Sequence, residues 1–266
     1  MTQVNTHVQD AANLVVDSYR AQIKVFGKFE YPYFESLVQK YTIRKVLDVG
    51  CGEGTFLKGL ASIYQDITFE GIDVNGGLVS LAGDNNSLEN LSFSQTHFGE
   101  GFSSSGYDMI MARLSVEHMN DIEFFLGEAY KHLVEGGVLF ITENYVDSLH
   151  NPNHTWQLFR QKEMEVYLKA GAHPRSPLFL PKLIKRAGFV DVESSFRHIS
   201  PSTVSKTDFY GLVVEYTSLF KVLEPTIWTE EVVREVTDYC ASALEQDFPN
   251  EDILLISHTL GLKPIK

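Results

Sequence analysis

The sequence predicts an α/β chain: a seven-stranded, mostly parallel sheet with helices on both faces and a helical lid. Three observations predict it. Short apolar segments alternate with segments of helical period through the middle of the chain, one of them runs into a glycine-rich turn, and further helical stretches lie outside that rhythm. The strand candidates are KVLDV (45–49), TFEGID (68–73), LSFSQ (91–95), YDMIMA (107–112), GVLFIT (137–142), FVDVESSFRHI (189–199) and DILLISH (252–258). Most are short, apolar and rich in residues that suit a pleated, buried surface.

The elements follow in order. Residues 1–40 read as an N-terminal helical cap, with Phe26, Phe29, Tyr31, Tyr33 and Phe34 crowded before the first strand. After Gly54, Phe56, Leu57, Leu60, Ala61 and Tyr64 recur at three- and four-residue steps, which predicts a helix. Ile122, Phe125, Leu126, Ala129, Tyr130 and Leu133 repeat that pattern, and the pair Gly136–Gly137 is expected to end the helix. A further helix is expected through QLFRQKEMEVYL. Phe209, Leu212, Val213, Tyr216, Leu219 and Phe220 form one late helical face, and Val232, Val233, Val236, Tyr239 and Cys240 a second. The domain reading is a cap over 1–40 and a core over 41–266, with lid inserts at about 144–176 and 201–250.

Composition narrows the function. With 22 Lys+Arg against 35 Asp+Glu the formal charge is −13, which argues against a protein that neutralises nucleic-acid phosphates. Cys51 and Cys240 are too few for a disulfide framework or a metal cluster, as suits a reducing compartment. The first residues lack the basic start and apolar run of a signal peptide, and no apolar run approaches the roughly 18 residues that span a bilayer. The expectation is a cytoplasmic monomer or homodimer with neither membrane nor nucleic acid as partner.

The most informative stretch is VLDVGCGEGTFL (46–57). A strand runs into Gly50, Gly52 and Gly54, which allow a tight turn and close approach of backbone to ligand. Asp73 ends the next strand, where a carboxylate can accept hydrogen bonds from two ribose hydroxyls. An adenosine-containing ligand is implied. The spacing is G-x-G-x-G rather than the G-x-G-x-x-G of dinucleotide sites; Asp48 sits two residues before the first glycine and Glu53 within the turn, with no Lys or Arg between Lys45 and Lys58. Two carboxylates repel a pyrophosphate but suit a ligand whose near end is positive. S-adenosylmethionine, with its ammonium and sulfonium, is such a ligand.

VLDVGCGEG, the spaced Asp73, and the block from Tyr107 to Glu143 with its turn from Leu133 to Gly137 resemble the class I S-adenosylmethionine-dependent methyltransferases. GAHPRSPLFLPKLIKRAGFVDV (171–192) resembles the stretch before the sixth strand in small-molecule members. The resemblance implies a Rossmann-like core, with Gly50 and Gly52 against the methionine part of the cofactor. Asp73 would hold the ribose and Val74 would lie under the adenine. His97 stands where family members often carry an acid, so it or the backbone of Phe98 would meet the adenine amino group. Arg113 would neighbour the methionine carboxylate or make a backbone contact. The cofactor-binding candidates are therefore Asp48, Gly50, Cys51, Gly52, Asp73, Val74, Asn75, His97, Phe98, Arg113 and Tyr19, the last with Tyr31 and Tyr33 as alternatives.

The implied reaction is methyl transfer to O, N or C of a small, partly apolar metabolite. His118 and Glu143 are the candidate bases, needed only where the acceptor must lose a proton. Each has a plainer reading, His118 as a packing or capping residue and Glu143 as a loop partner. Cys51 reads as packing rather than nucleophile. His150, His154 and His173, near Asp147 and Glu165, lack the spacing of a metal site, so no metal is expected. A peptide or protein acceptor and a non-catalytic cofactor-binding protein stay open; the acids at the turn disfavour an oxidoreductase.

Overall fold

A computed structural model describes residues 2–99, 101–146, 153–245 and 252–265. In chain order the elements are α1 (Thr2–Lys40), β1 (Lys45–Val49), α2 (Thr55–Ile63), β2 (Thr68–Asp73), α3 (Gly76–Asp84), β3 (Leu91–Gln95) and β4 (Tyr107–Arg113). After a single 3-10 turn at Val116–His118 come α4 (Ile122–His132), β5 (Leu133–Tyr145), α5 (His154–Lys169) and α6 (Ser176–Arg186). β6 (Val190–Ile199), α7 (Lys206–Leu223), α8 (Glu230–Glu245) and β7 (Leu254–Leu262) complete the chain. It divides into two compact units, and one boundary falls inside α1.

The α/β unit comprises Tyr31–Tyr145, Arg175–Arg197 and Ile256–Lys266. Its sheet has the order β3-β2-β1-β4-β5-β7-β6, with parallel pairing from β3 through β5. β7 runs the other way: Lys263 donates to the Gly137 carbonyl (2.9 Å) while Ser257 donates to the Glu143 carbonyl (3.4 Å). As one strand's numbers rise, the other's fall, so β7 is antiparallel to β5. The predicted class is therefore met, a seven-stranded mixed sheet with helices on both faces.

Strand alternation sorts the two faces. Leu47, Val49, Ile110, Ala112, Leu139 and Ile141 pack with Phe125 and Leu126 of α4 and Leu180 and Ile184 of α6. On the opposite face the second half of α1 docks through aromatics. Tyr33 stacks on Phe140 (5.3 Å), Phe34 lies 5.4 Å from Tyr64, and Tyr31 stacks on Phe56 (5.1 Å). These rings serve as core where the helix meets the sheet.

One boundary departs from expectation. α4 ends at His132, and β5 begins at Leu133 and runs through Gly136–Gly137 instead of stopping there. The step from Tyr107 to Met109 on β4 faces the step from Leu133 to Val138 on β5, so the extra residues bulge. Gly136 takes φ +75°, and its N–H and the Gly137 carbonyl both find Lys263 backbone partners. Pairing with β7 thus keeps the segment in the sheet where local preference predicted a helix stop.

The helical unit comprises Met1–Glu30, Val146–Pro174 and His198–Leu255. Trp156 stacks on Phe209 (5.6 Å), and Trp228 lies 5.9 Å from Phe159 and 5.7 Å from Phe220. The six residues expected to share a face of α7 are all buried. Asn153 and Ser205 cap α5 and α7 by accepting first-turn amides. Several buried polar groups are paired within the unit: Arg160 contacts Glu163 (2.5 Å), and Tyr210 and Tyr239 both donate to Asp252 Oδ2 (2.9 and 2.6 Å). Among the described residues, no helix is long and apolar enough to cross a membrane.

Candidate active site

The glycine turn begins where β1 ends. The N–H groups of Gly50 and Cys51 both donate to the Ile72 carbonyl (2.8 and 3.0 Å), tying the turn back to β2. Gly50, Gly52 and Gly54 have φ of +80°, +57° and +76°, the region L side chains avoid. A Cβ on Gly50 would lie 2.7 Å from the Ser115 Cβ, and one on Gly54 would lie 2.4 Å from the Phe93 ring. Space as well as dihedral therefore requires glycine at both.

Asp73, at the end of β2, braces that turn. Its Oδ2 accepts the Gly52 N–H (2.9 Å) and its Oδ1 the Asn75 N–H (2.8 Å). An ionised carboxylate has about four acceptor sites, so capacity is left for further donors. The side chain is half-buried. Next to it Val74 is 65 % exposed, an apolar surface at the end of a strand. Asn75 caps α3, its Oδ1 accepting from Gly77 (3.1 Å) and Leu78 (3.3 Å). Gln95, which the sequence did not single out, donates to the Val74 carbonyl (3.2 Å) and completes this corner. Its only signal was its place at the end of β3.

The acids are inside. Asp48 and Glu53 are both buried, and Thr55 Oγ1 donates to Glu53 Oε2 (2.5 Å). Burial, then the charges of Asp48 and Asp73, push the Cys51 thiol far above its usual range, so it stays protonated. His97 is exposed after β3, whereas the Phe98 ring is buried against Phe102, Phe125 and His132. The Phe98 ring is therefore taken up by the core.

The second half of the site lies at the ends of β4 and β5. The Arg113 guanidinium sits 4.7 Å over the Phe56 ring. Leu114 takes φ +50°, and Ser115 Oγ donates to the Val49 carbonyl (3.0 Å). Glu143 is fully buried, and its Oε1 accepts the N–H groups of Ser115 (3.2 Å), Val116 (2.7 Å) and Glu117 (3.3 Å). Burial raises its carboxyl to about 8, against the opposing pull of those amides and of Arg113. His118, the last residue of the 3-10 turn, has a half-exposed side chain 3.6 Å from Glu117 Oε1. Partial loss of hydration lowers its imidazole below the usual value.

The α/β unit thus brings together Asp48, Gly50, Cys51, Gly52, Asp73, Val74 and Asn75 around the ends of β1 and β2. His97 and Phe98 follow β3, while Arg113, His118 and Glu143 cluster at β4 and β5. Tyr19 lies on α1 in the helical unit. His154 and His173 belong to that unit too, and His150 and Asp147 lie outside the described residues. Among the described residues, no group of three or more His, Cys, Asp or Glu could hold a metal ion.

The profile of the family described as "Methyltransferase domain" matches residues 23–194, well over half of the chain. The chain belongs to that family. Its fold is that of solved methyltransferases. The trans-aconitate 2-methyltransferase of Deinococcus radiodurans is 26 % identical over 165 residues, covering 59 % of this chain and 63 % of that protein. The malonyl-[acyl-carrier protein] O-methyltransferase of Erwinia billingiae is 27 % identical over 165 residues, with the same coverage of 59 % and 63 %. The chain therefore spans less than two thirds of the length of these curated relatives. Among solved structures, the fold is shared with Haemonchus contortus phosphoethanolamine N-methyltransferase 2, solved with S-adenosyl-L-methionine. The TM-score is 0.56 at 16 % identity, over 86 % of this chain and 52 % of that one.

The geometry fits S-adenosylmethionine, the ligand of that solved relative. The turn has no room for a Cβ at Gly50 or Gly54, Asp73 keeps acceptor capacity at its edge, and an exposed Val74 adjoins it.

Proposed function

We propose that this chain transfers a methyl group from S-adenosylmethionine to a small, partly apolar organic acceptor, at O, N or C. The observation that carries the reading is the glycine turn, held by Asp73 and flanked by the buried Asp48 and Glu53. Buried carboxylates beside a ligand's end favour an onium group over a polyphosphate.

Each residue then has a stated task. Gly50 and Gly52 let backbone approach the methionine part of the ligand. Asp73 accepts from the ribose hydroxyls while still holding the Gly52 and Asn75 amides. Val74 lies under the adenine, with Asn75 fixing that corner, and His97 or the Phe98 backbone meets its edge. Arg113, kept in place by the Phe56 ring, faces the methionine carboxylate. Cys51 fills the turn as a neutral thiol.

When bound, the cofactor supplies a methyl group on sulfonium, whose departure as a neutral thioether needs no acid. The chain's work is therefore alignment, which is worth up to about 7–11 kcal/mol in ideal cases. His118 is the side chain suited to take a proton from the acceptor, being neutral near pH 7 and half-exposed. Glu143 spends its Oε1 on three backbone amides and serves to position the loop between β4 and the 3-10 turn.

Calorimetry with S-adenosylhomocysteine and with NADH tests the ligand. Binding of the first alone is expected, and binding of NADH alone would overturn the reading. Transfer of labelled methyl to a small-molecule extract rather than to a protein extract is the expected outcome for the acceptor; label found only in protein would move the activity to peptides.

A further inference from the structure

Four adjacent strands of the α/β unit carry polar side chains side by side on one face of the sheet. Arg113 of β4 is paired with Thr142 of β5. The contacts of Lys263 with Gly137 and of Ser257 with Glu143 bring His258 of β7 beside Thr142. A Cβ on Gly261 would lie 3.1 Å from the Phe189 Cβ, and the Ser194 and Thr259 hydroxyls touch at 3.1 Å, so β6 runs antiparallel to β7 and, on the reverse face from that contact, Ser195 of β6 stands opposite His258. Asp48 pairs with Met111, which puts this row level with Gly50. Tyr33 packs on the same face, its ring 4.6 Å from the His258 imidazole.

His258 is fully buried, and among the described residues neither ring nitrogen has a hydrogen-bond partner; the buried Ser195 hydroxyl has none there either. Each group both donates and accepts, and the register sets them opposite one another, yet they do not bond. Unsatisfied polar groups of this kind cost about 1–3 kcal/mol apiece, so the pair calls for a third partner. Charge indicates its nature. Burial, then Arg197 and Arg113, hold the imidazole at about 4, leaving it neutral with one N–H to give. Arg197 is two residues from Ser195 on the same face of β6, so guanidinium groups flank the row on both sides. Glu193 shares that face in the other direction and acts on the Tyr33 hydroxyl.

We propose that His258 and Ser195 form a subsite for a carboxylate of the acceptor, their N–H and O–H donating to its oxygens in the field of Arg113 and Arg197. This subsite rests on the methyl-transfer reading and names its substrate class. The carboxylate belongs either to a free acid or to an acyl chain carried as a thioester.

The test uses protein labelled with 15N-histidine and saturated with S-adenosylhomocysteine. It is titrated with malonate, benzoate and S-malonyl-pantetheine, with malonamide and benzamide as uncharged controls. The His258 ring resonances are expected to shift with carboxylates and not with the amides. His258→Phe should weaken the responding ligand about tenfold or more, and Ser195→Ala about threefold, with S-adenosylhomocysteine affinity retained. A response to free acids assigns a free metabolite, and one to the thioester alone assigns a carried acyl chain. Unmoved His258 resonances, or unchanged carboxylate affinity in both variants, would overturn the subsite and leave a buried water as the partner. If the wild type fails to bind S-adenosylhomocysteine, the reading of the glycine turn falls instead, and the same titration without it decides the subsite.

Discussion

Two carboxylates in the α/β unit use one device to different ends. Asp73, at the end of β2, grips the Gly52 amide of the turn after the neighbouring β1, and Glu143, near the end of β5, grips three amides of the turn after the neighbouring β4. Asp73 is half-buried and keeps lone pairs for a ligand, whereas Glu143 is fully buried with Oε2 left over. Exposure separates them. The same clasp contacts ligand where it meets the surface and holds shape where it does not.

Substitutions break that comparison in descending order of effect. The glycine turn should suffer most. Gly50→Val meets Ser115 and a forbidden φ together, and calorimetry should find S-adenosylhomocysteine affinity lower by a factor on the order of 100 or more. Asp73→Asn replaces one amide acceptor by a donor, so a loss of about 10- to 100-fold is expected, with the fold intact by circular dichroism. Unchanged affinity would take Asp73 out of the ligand's reach. Glu143→Leu should leave three amides without their acceptor and lower stability to denaturant by about 2–4 kcal/mol.

Glu143→Gln sharpens the contrast. The amide oxygen can still accept all three N–H groups, so turnover within about threefold of wild type is expected; a collapse in kcat with folding unchanged would instead mark Glu143 as a base. The pH dependence has a definite sign. A carboxyl raised to about 8 by burial stabilises the fold below its unfolded value, and that contribution is lost as pH rises toward 8. Glu143→Gln should therefore gain on wild type across that range in denaturant titrations. Smallest of all, His118→Ala should lower kcat while leaving cofactor affinity alone; equal kcat would mean that the acceptor needs no base there.

Much of this was legible in the residues. The strands, the glycine turn and Asp73 follow from patterns that local physics enforces, because a left-handed turn beside a strand leaves little choice but glycine. The Gly136–Gly137 pair misled, since the partner that keeps it in the sheet, Lys263, lies over a hundred residues away. Phe98 illustrates a second limit: position after β3 places its backbone, but only packing against Phe125 tells where its ring goes. Period two gives a strand residue its face and not its partners, so Glu143 as a clasp was out of reach. His258 drew no notice because it reads as one more residue of a buried strand. That its nitrogens lack partners among the described residues is a property of four strands together.

Leu114 carries a consequence for engineering. A leucine held at φ +50° between Arg113 and Ser115 sits where asparagine or glycine is at ease. Directed evolution for heat resistance is expected to replace it early. Whether such thermostable descendants keep their catalytic vigour would reveal whether that contorted joint is tolerated baggage or a sprung part of the machine.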